Sequence, residues 1–309
     1  MKRATRESYG RTLVELGSTN KEIVVLDADL SKATKSEIFA KAYPDRFINV
    51  GISEQNMIGM AAGLANAGKI PFATTFAVFA AGRAFEIIRN SVCYPNVNVK
   101  IAATHAGITV GPDGGSHQAI EDIALMSALP NMIVLSPADD IEACKCVKAA
   151  AKINSPVYIR LGRIPLDDIY NEDYDFKIGK GSVLIEGDDV AIISTGIMVH
   201  KALKASEELK KEGINARVIN ISTIKPIDEE IIIKAANETK GIVTVEEHSI
   251  IGGLGDRVAS VVCDKCKATV KKIGVNDVFG ESGDPDKLLE KHGLTSENII
   301  KVAKGILNK

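Results

Sequence analysis

The sequence predicts an α/β fold of two parallel-sheet domains, and three observations carry that prediction. Short β-branched runs alternate with longer helical runs along the 309 residues, the pattern of strands joined by crossover helices. The alternation stops once, near 164–182, in an acidic stretch with Pro and Gly and neither period, and then resumes. Apolar residues make up 45% and charged residues 25%, the balance of a chain that packs a core.

In the first unit, 22–29 (EIVVLDAD) reads as a strand, followed by a helix near 31–42 and a short strand at 47–51. Residues 53–68 (SEQNMIGMAAGLANAG) read as a helix ending at Gly68, whose small residues permit close approach of a neighbour. A buried strand at 71–76, a helix at 78–92 and a strand at 97–105 come next. A Gly-rich loop (106–116) leads to a helix at 117–128, then strand, helix and strand up to IRLG. After the irregular stretch, strands are expected at 190–196, 216–222, 241–247 and 270–275, with helices between them and a helix closing the chain. The expected division is a domain at 1–165, a linker at 166–182 and a second domain at 183–309.

Lys and Arg number 38 against 40 Asp and Glu, a net charge of −2, so no basic excess exists to neutralise a nucleic-acid backbone. The polar start MKRATRESYG lacks the apolar run of a signal peptide, and no stretch reaches the ~18 apolar residues of a membrane span. The expectation is a cytoplasmic protein that acts on neither nucleic acid nor membrane. Five cysteines form no disulfide framework, and the Cys263–Cys266 pair has no second pair or His at zinc spacing. They are expected to be buried or half-buried thiols.

Four features can carry chemistry. The first is THAGITVGPDGGSHQ (104–118), where His105 ends a strand and His117 and Asp113 follow in a glycine-rich loop. Open parallel sheets bind ligands at the carboxyl ends of their strands, and two histidines with a carboxylate there predict a polar pocket that titrates near neutral pH. A zinc or iron reading of these three residues is weaker, because the spacing matches no common ligand pattern. The second is Glu54 in VGISEQNM, after Ser53, a residue type that caps helix N-termini. It either complements the helix dipole or serves as a carboxyl withdrawn from water. The third is Phe76 and Phe79 at a strand-to-helix junction, either core or a platform for a planar ring. The fourth is Arg163 after a strand and Arg6 near the start, side chains that can fork onto a phosphate. No GxGxxG, P-loop or GxSxG pattern is present in a fitting context.

Glu54 in GISEQNM, the FAVF segment and the H-x7-D-x3-H cluster occur in an order and spacing that resemble the C-terminal half of transketolase, over essentially the whole chain. The GDG motif of the family's diphosphate-binding domain does not occur; EGDDV and SGDPD are the nearest strings. The chain therefore resembles the separately encoded C-terminal subunit of a split transketolase, a pyrimidine-binding domain followed by a transketolase C-terminal-like domain.

The resemblance implies that Glu54 hydrogen-bonds the aminopyrimidine of thiamine diphosphate, that Phe79 stacks on that ring with Phe76 beside it, and that Asp29 lies near the cofactor. It implies that His117 lies near the pyrimidine's exocyclic nitrogen and the substrate's reacting oxygens, that His105 and Asp113 hold sugar hydroxyls, with His105 counted among the catalytic residues beside Glu54 and His117, and that Arg163 and Arg6 hold the sugar phosphate. A family aromatic is replaced by Gly82, and a family phosphate-binding serine falls at Ala33, with Ser31 or Thr34 as substitutes. The implied partner is an N-terminal subunit ligating Mg2+ (or Ca2+), in an α2β2 heterotetramer of pentose phosphate chemistry.

Two related readings are the beta chain of a 2-oxo acid dehydrogenase E1 component, which has no need for His105, Asp113 and Arg163 to grip a phosphorylated polyol, and a 1-deoxyxylulose-phosphate synthase-like fragment. A non-catalytic regulatory module on the same fold would leave Glu54 dispensable.

Overall fold

The computed structural model describes residues 2–308. Its first sheet contains β1 (Ile23–Asp27), β2 (Phe47–Asn49), β3 (Ile70–Phe76), β4 (Lys100–Thr104), β5 (Ile133–Leu135) and β6 (Val157–Arg160), all parallel, in the order β5-β6-β4-β3-β1-β2. The second contains β7 (Ser182–Ile185), β8 (Val190–Ser194), β9 (Ala216–Asn220), β11 (Ile242–Ser249) and β12 (Val270–Val275), in the order β12-β11-β8-β9-β7, with β7 antiparallel. The α/β class and the mostly parallel sheets are those the alternation predicts. Strands such as β1 and β8 are buried at every residue because helices cover both faces, which is why they read as unbroken apolar runs.

Helices α1 (Thr5–Thr19) and α7 (Asp140–Lys152) cover one face of the first sheet, with Tyr9, Leu13, Phe72, Val147 and Ala150 in one core. Helices α4 (Glu54–Asn66) and α6 (Asp122–Ala128) supply Met57, Ile58, Ala61, Ile123 and Met126 to the core on the other face. That core continues through Ile224 to Ile193 and Leu254 of the second half. The continuity comes from β10 (Thr223–Lys225), which pairs antiparallel with β5 and completes the first sheet as its seventh strand. Three residues carry no readable period, so this exchange is absent from the sequence pattern.

Other departures have local causes. Helix α1 is unexpected because its buried face mixes Tyr9 and Leu13 with Ser8, Thr12 and Gly17. The helix expected at 31–42 is two helices, α2 (Ser31–Thr34) and α3 (Glu37–Ala42), broken at Lys35 (φ +69°). The buried Asp27 carboxylate holds the break, accepting from Thr34 Oγ1 (2.8 Å), Ser36 Oγ (2.8 Å) and Leu30 N (2.6 Å). The helix expected at 78–92 is α5 (Phe85–Ile87) between two π turns, Phe79–Arg83 and Ile88–Cys93. The helix expected at 117–128 begins only at Asp122. Residues 118–119 are drawn out of it by bonds to other segments: Gln118 Nε2 to Ile108 O and Glu281 O, and Arg160 Nη2 to Ala119 O. Ser53 is the N-cap residue of α4, yet its hydroxyl donates to Val50 O rather than capping. All five cysteines are free; Cys93 and Cys146 are buried, but Cys263 is exposed, contrary to expectation. Among the described residues no helix is long and apolar enough to cross a membrane.

Candidate functional site

The first sheet changes direction between β1 and β3: the chain leaves β1 toward β2 and returns on the other side at β3. A crevice opens at the carboxyl ends of such strands. Phe76 is the last residue of β3, and His105 follows the last residue of the neighbouring β4. The two rings stack with centroids 3.9 Å apart. Phe79 lies nearly parallel to Phe76 at 5.9 Å, and His117 meets Phe79 edge-on at 5.5 Å and Phe76 at 6.3 Å. Four rings from three segments thus form one cluster, with Phe76 buried and Phe79 and His117 half-buried.

Helix α1 carries Arg6 across 99 residues of sequence to this cluster, where Arg6 Nη1 lies 3.1 Å from His105 Nε2 and donates to Ala33 O at 2.8 Å. A guanidinium only donates, so His105 Nε2 accepts; the proton then sits on Nδ1, facing Thr104 Oγ1 at 2.9 Å. Burial, with Arg6, Arg163 and His117 nearby, pushes the His105 pKa down to about 3. His105 is therefore a neutral hydrogen-bonding ring at physiological pH, not the near-neutral titrating group expected from its type. It holds φ +57°, a left-handed backbone uncommon outside glycine.

Arg163 donates to Val110 O and lies 3.4 Å from Asp113 Oδ2. Burial, and after it repulsion from the nearby Arg163, lowers the Arg6 pKa. Arg6 Nε is buried with no acceptor. Two converging cations and an orphaned donor are arranged for an anion.

Glu54 begins α4 and is 1% exposed, too withdrawn from water for dipole complementation to be its whole role. Its Oε2 accepts from Arg83 Nη1 at 2.7 Å. The π turn places Arg83, four residues after Phe79, with its guanidinium 4.5 Å from the Phe79 ring centroid. A planar, nitrogen-rich group thus lies on an aromatic face and against a buried carboxyl. An aminopyrimidine has the same two requirements, so Glu54 and Phe79 fit that ring.

Arg6, Phe76, Phe79, His105, Asp113, His117 and Arg163 are joined by these contacts, and Glu54 joins through Arg83. Asp29 stands apart: it is exposed, at φ +64°, and accepts from Asn49 Nδ2 at 3.1 Å. Thr34 does not replace the family serine at Ala33, because its hydroxyl is buried against Asp27. Among the described residues no three of His, Cys, Asp and Glu are grouped to hold a metal ion. Sequence reasoning missed Arg83, although its i,i+4 spacing from Phe79 was a usable signal. It also missed Arg160 and Glu247, both buried beneath the loop, for which no local signal exists.

Comparison with known proteins follows the same lines. Residues 1–167 match the family model described as transketolase, pyrimidine binding domain, and residues 179–299 match transketolase, C-terminal domain. A putative transketolase C-terminal section from Methanocaldococcus jannaschii is 54% identical over 299 residues, 96% of this chain and 94% of that protein. The 6-deoxy-6-sulfo-D-fructose transketolase subunit SqwH of Clostridium sp. is 43% identical, over 96% of this chain and 92% of its own. A solved structure titled split gene transketolase, inactive beta4 tetramer, superposes with a TM-score of 0.93 at 58% identity, over 99% of this chain and 98% of that one. With both domain models matched in order across most of its length, the chain belongs to the transketolase family.

Proposed function

We propose that this chain is one subunit of a two-chain transketolase that moves a two-carbon ketol unit from a ketose phosphate to an aldose phosphate. Its site would be shared with a separate N-terminal subunit that grips the diphosphate and Mg2+ of thiamine diphosphate. The observation that carries the reading is the pairing of two recognition surfaces in one crevice. Glu54 and Phe79 face the place a heterocycle would take, and Arg6 and Arg163 converge, with an unpartnered Nε, where a phosphate would lie.

Thiamine diphosphate, when bound, supplies the nucleophilic carbon and accepts the electrons released as the ketose C–C bond breaks. The residues of this chain do the rest. Glu54, shielded from water, would hold a proton at the pyrimidine ring nitrogen. Phe79 would present its face to the ring, worth ~0.5–1.5 kcal/mol beyond burial. His105, held neutral, would accept or donate at sugar oxygens without adding charge, and His117 would lie beside it. Asp113 would orient a hydroxyl, and Arg6 and Arg163 would clamp the phosphate. Asp29, at the outer rim, would touch the cofactor only in the assembled enzyme. The names of the relatives, a C-terminal section and a transketolase subunit, support a divided enzyme.

The test mixes this chain with its candidate N-terminal partner, Mg2+ and thiamine diphosphate and measures ketol transfer between sugar phosphates. Transfer only by the mixture, with tight calorimetric cofactor binding only by the mixture, is expected. An inactive assembly that nevertheless binds the cofactor would remove the catalytic reading. Tight cofactor binding by this chain alone would remove the shared site.

A further inference from the structure

The loop from His105 to His117 is anchored from outside its own sheet. Glu247, near the end of β11, is 3% exposed, and its Oε1 accepts from Thr109 N at 2.6 Å. Thr109 lies in the 3-10 turn Ile108–Asp113, between His105 and Asp113. Gly107, at φ +80°, makes room for this reach: a Cβ there would lie 2.2–2.4 Å from the Glu247 carboxyl atoms.

The neighbouring atoms hold the far end of the loop. Arg160 Nη2 donates to Glu247 O (2.9 Å) and Ala119 O (3.3 Å), while its Nε donates to the buried Asp122 (2.8 Å). Ser249 N donates to Ile120 O at 2.7 Å, and His248 Nε2 accepts from Ala124 N at 3.4 Å.

We propose that Glu247 is a positioning residue for substrate: by accepting the Thr109 N–H from the second sheet, it sets the turn that places Asp113 and His117 opposite His105. This deepens the reading of those three residues as sugar-binding groups and rests on it. Glu247 touches no reacting atom; it acts through the loop. The C-terminal domain thereby has a defined part in substrate binding.

The experiment uses the reconstituted two-subunit enzyme with three variants. Glu247→Ala removes the acceptor, Glu247→Asp withdraws it by one methylene, and Glu247→Gln keeps it. Loss of the buried acceptor, which leaves the Thr109 N–H unpaired, predicts a fall of about 30-fold in kcat/KM for the ketose phosphate in the Ala and Asp variants, with recovery to within about 3-fold of wild type in Gln. The calorimetric Kd for thiamine diphosphate should change less than about 3-fold in every variant, because Glu54, Phe76 and Phe79 lie outside the loop. Equal losses in cofactor and sugar binding, or Gln no better than Asp, would overturn the proposal. Should Ala fail to fold, the Asp and Gln pair decides the matter. If the wild-type assembly transfers no ketol unit, the functional reading has failed, and amide exchange on the isolated chain judges the anchor separately. Glu247→Asp should speed exchange across 107–113 about 10-fold while β4 stays protected, and unchanged exchange would reject it.

Discussion

The two sheets end their strands in crevices that are treated in opposite ways. At the carboxyl ends of β3 and β4 the side chains are left short of partners: Phe79 is half-buried, Arg6 Nε has no acceptor, and two guanidiniums face each other. At the carboxyl ends of β9 and β11 most of the polar groups are committed to neighbours, Asn220 Oδ1 being without a partner. Asn220 Nδ2 donates to both Glu142 oxygens at 3.0 Å and to Tyr170 Oη at 2.9 Å. Ala138 N and Tyr174 Oη also donate to Glu142. Glu246 accepts from Leu254 N and Gly255 N at the start of α10 (Leu254–Lys265). The same α/β construction thus yields an open crevice in one half and a face closed by its neighbours in the other. What separates them is the buried charge: Glu142 is surrounded by donors in the second, whereas the Arg6 guanidinium keeps an Nε without an acceptor in the first.

Breaking the open crevice at its most buried acid should have the largest effect. Glu54→Gln is expected to lower kcat for ketol transfer by about 1000-fold, with far-UV circular dichroism unchanged; normal turnover would place the proton chemistry elsewhere. In the closed crevice, Glu142→Ala leaves Asn220, Tyr174 and the Ala138 N–H without their acceptor and should cost about 2–4 kcal/mol in denaturant-unfolding experiments. A change under about 0.5 kcal/mol would erase the contrast between the two crevices. Arg163→Ala should raise KM for phosphorylated sugars about 10-fold more than for unphosphorylated ones, and equal effects would argue against a phosphate contact.

The smallest effects are in pH dependence, where the two crevices have opposite signs. His105 is pushed down to about 3, so the native state binds fewer protons than the unfolded chain below the ordinary histidine value of 6.5. Its contribution to stability is complete above 6.5 and is lost as pH falls toward 3. Burial pushes Glu142 and Glu247 up to about 7, so the native state binds more protons than the unfolded chain above 4.5. Their contribution is complete below 4.5 and is lost as pH rises through 7. Histidine NMR should therefore show no protonation of His105 between pH 8 and 5. Glu247→Gln should flatten the wild-type fall in melting temperature between pH 5 and 8. A His105 titration near 6.5 would mean that its ring is open to water.

Local pattern reached far into the first half of this comparison. The strand–helix alternation, the residue types at strand ends and the order GISEQNM, FAVF, H-x7-D-x3-H are enough to name Glu54, Phe76, Phe79, His105, Asp113, His117, Arg163 and Arg6 as candidates. Glu54, Phe76, Phe79, His105 and Arg163 lie near a strand end or a helix start, so local periodicity places them; Asp113 and His117 in the loop and Arg6 in the unexpected helix are named by residue type and motif order instead. Arg83 was within reach by its helical spacing from Phe79 but sits in a π turn, which no periodic template describes. The Ser53 hydroxyl turns instead to a carbonyl three residues upstream, and the helix expected from 117 starts late because distant partners outweigh the local preference.

Backbone pattern, side-chain type and chemical family were thus written in the order of the residues, because burial periodicity and strand-end placement depend on near neighbours. Pairing across the fold was not. The exchange of β10 into the first sheet, the neutrality of His105 beneath Arg6, and the hold of Glu247 on Thr109 all join residues between about 85 and 140 positions apart. Such contacts form only once distant segments have packed and expelled water, so their partners and charge states are properties of the packed chain.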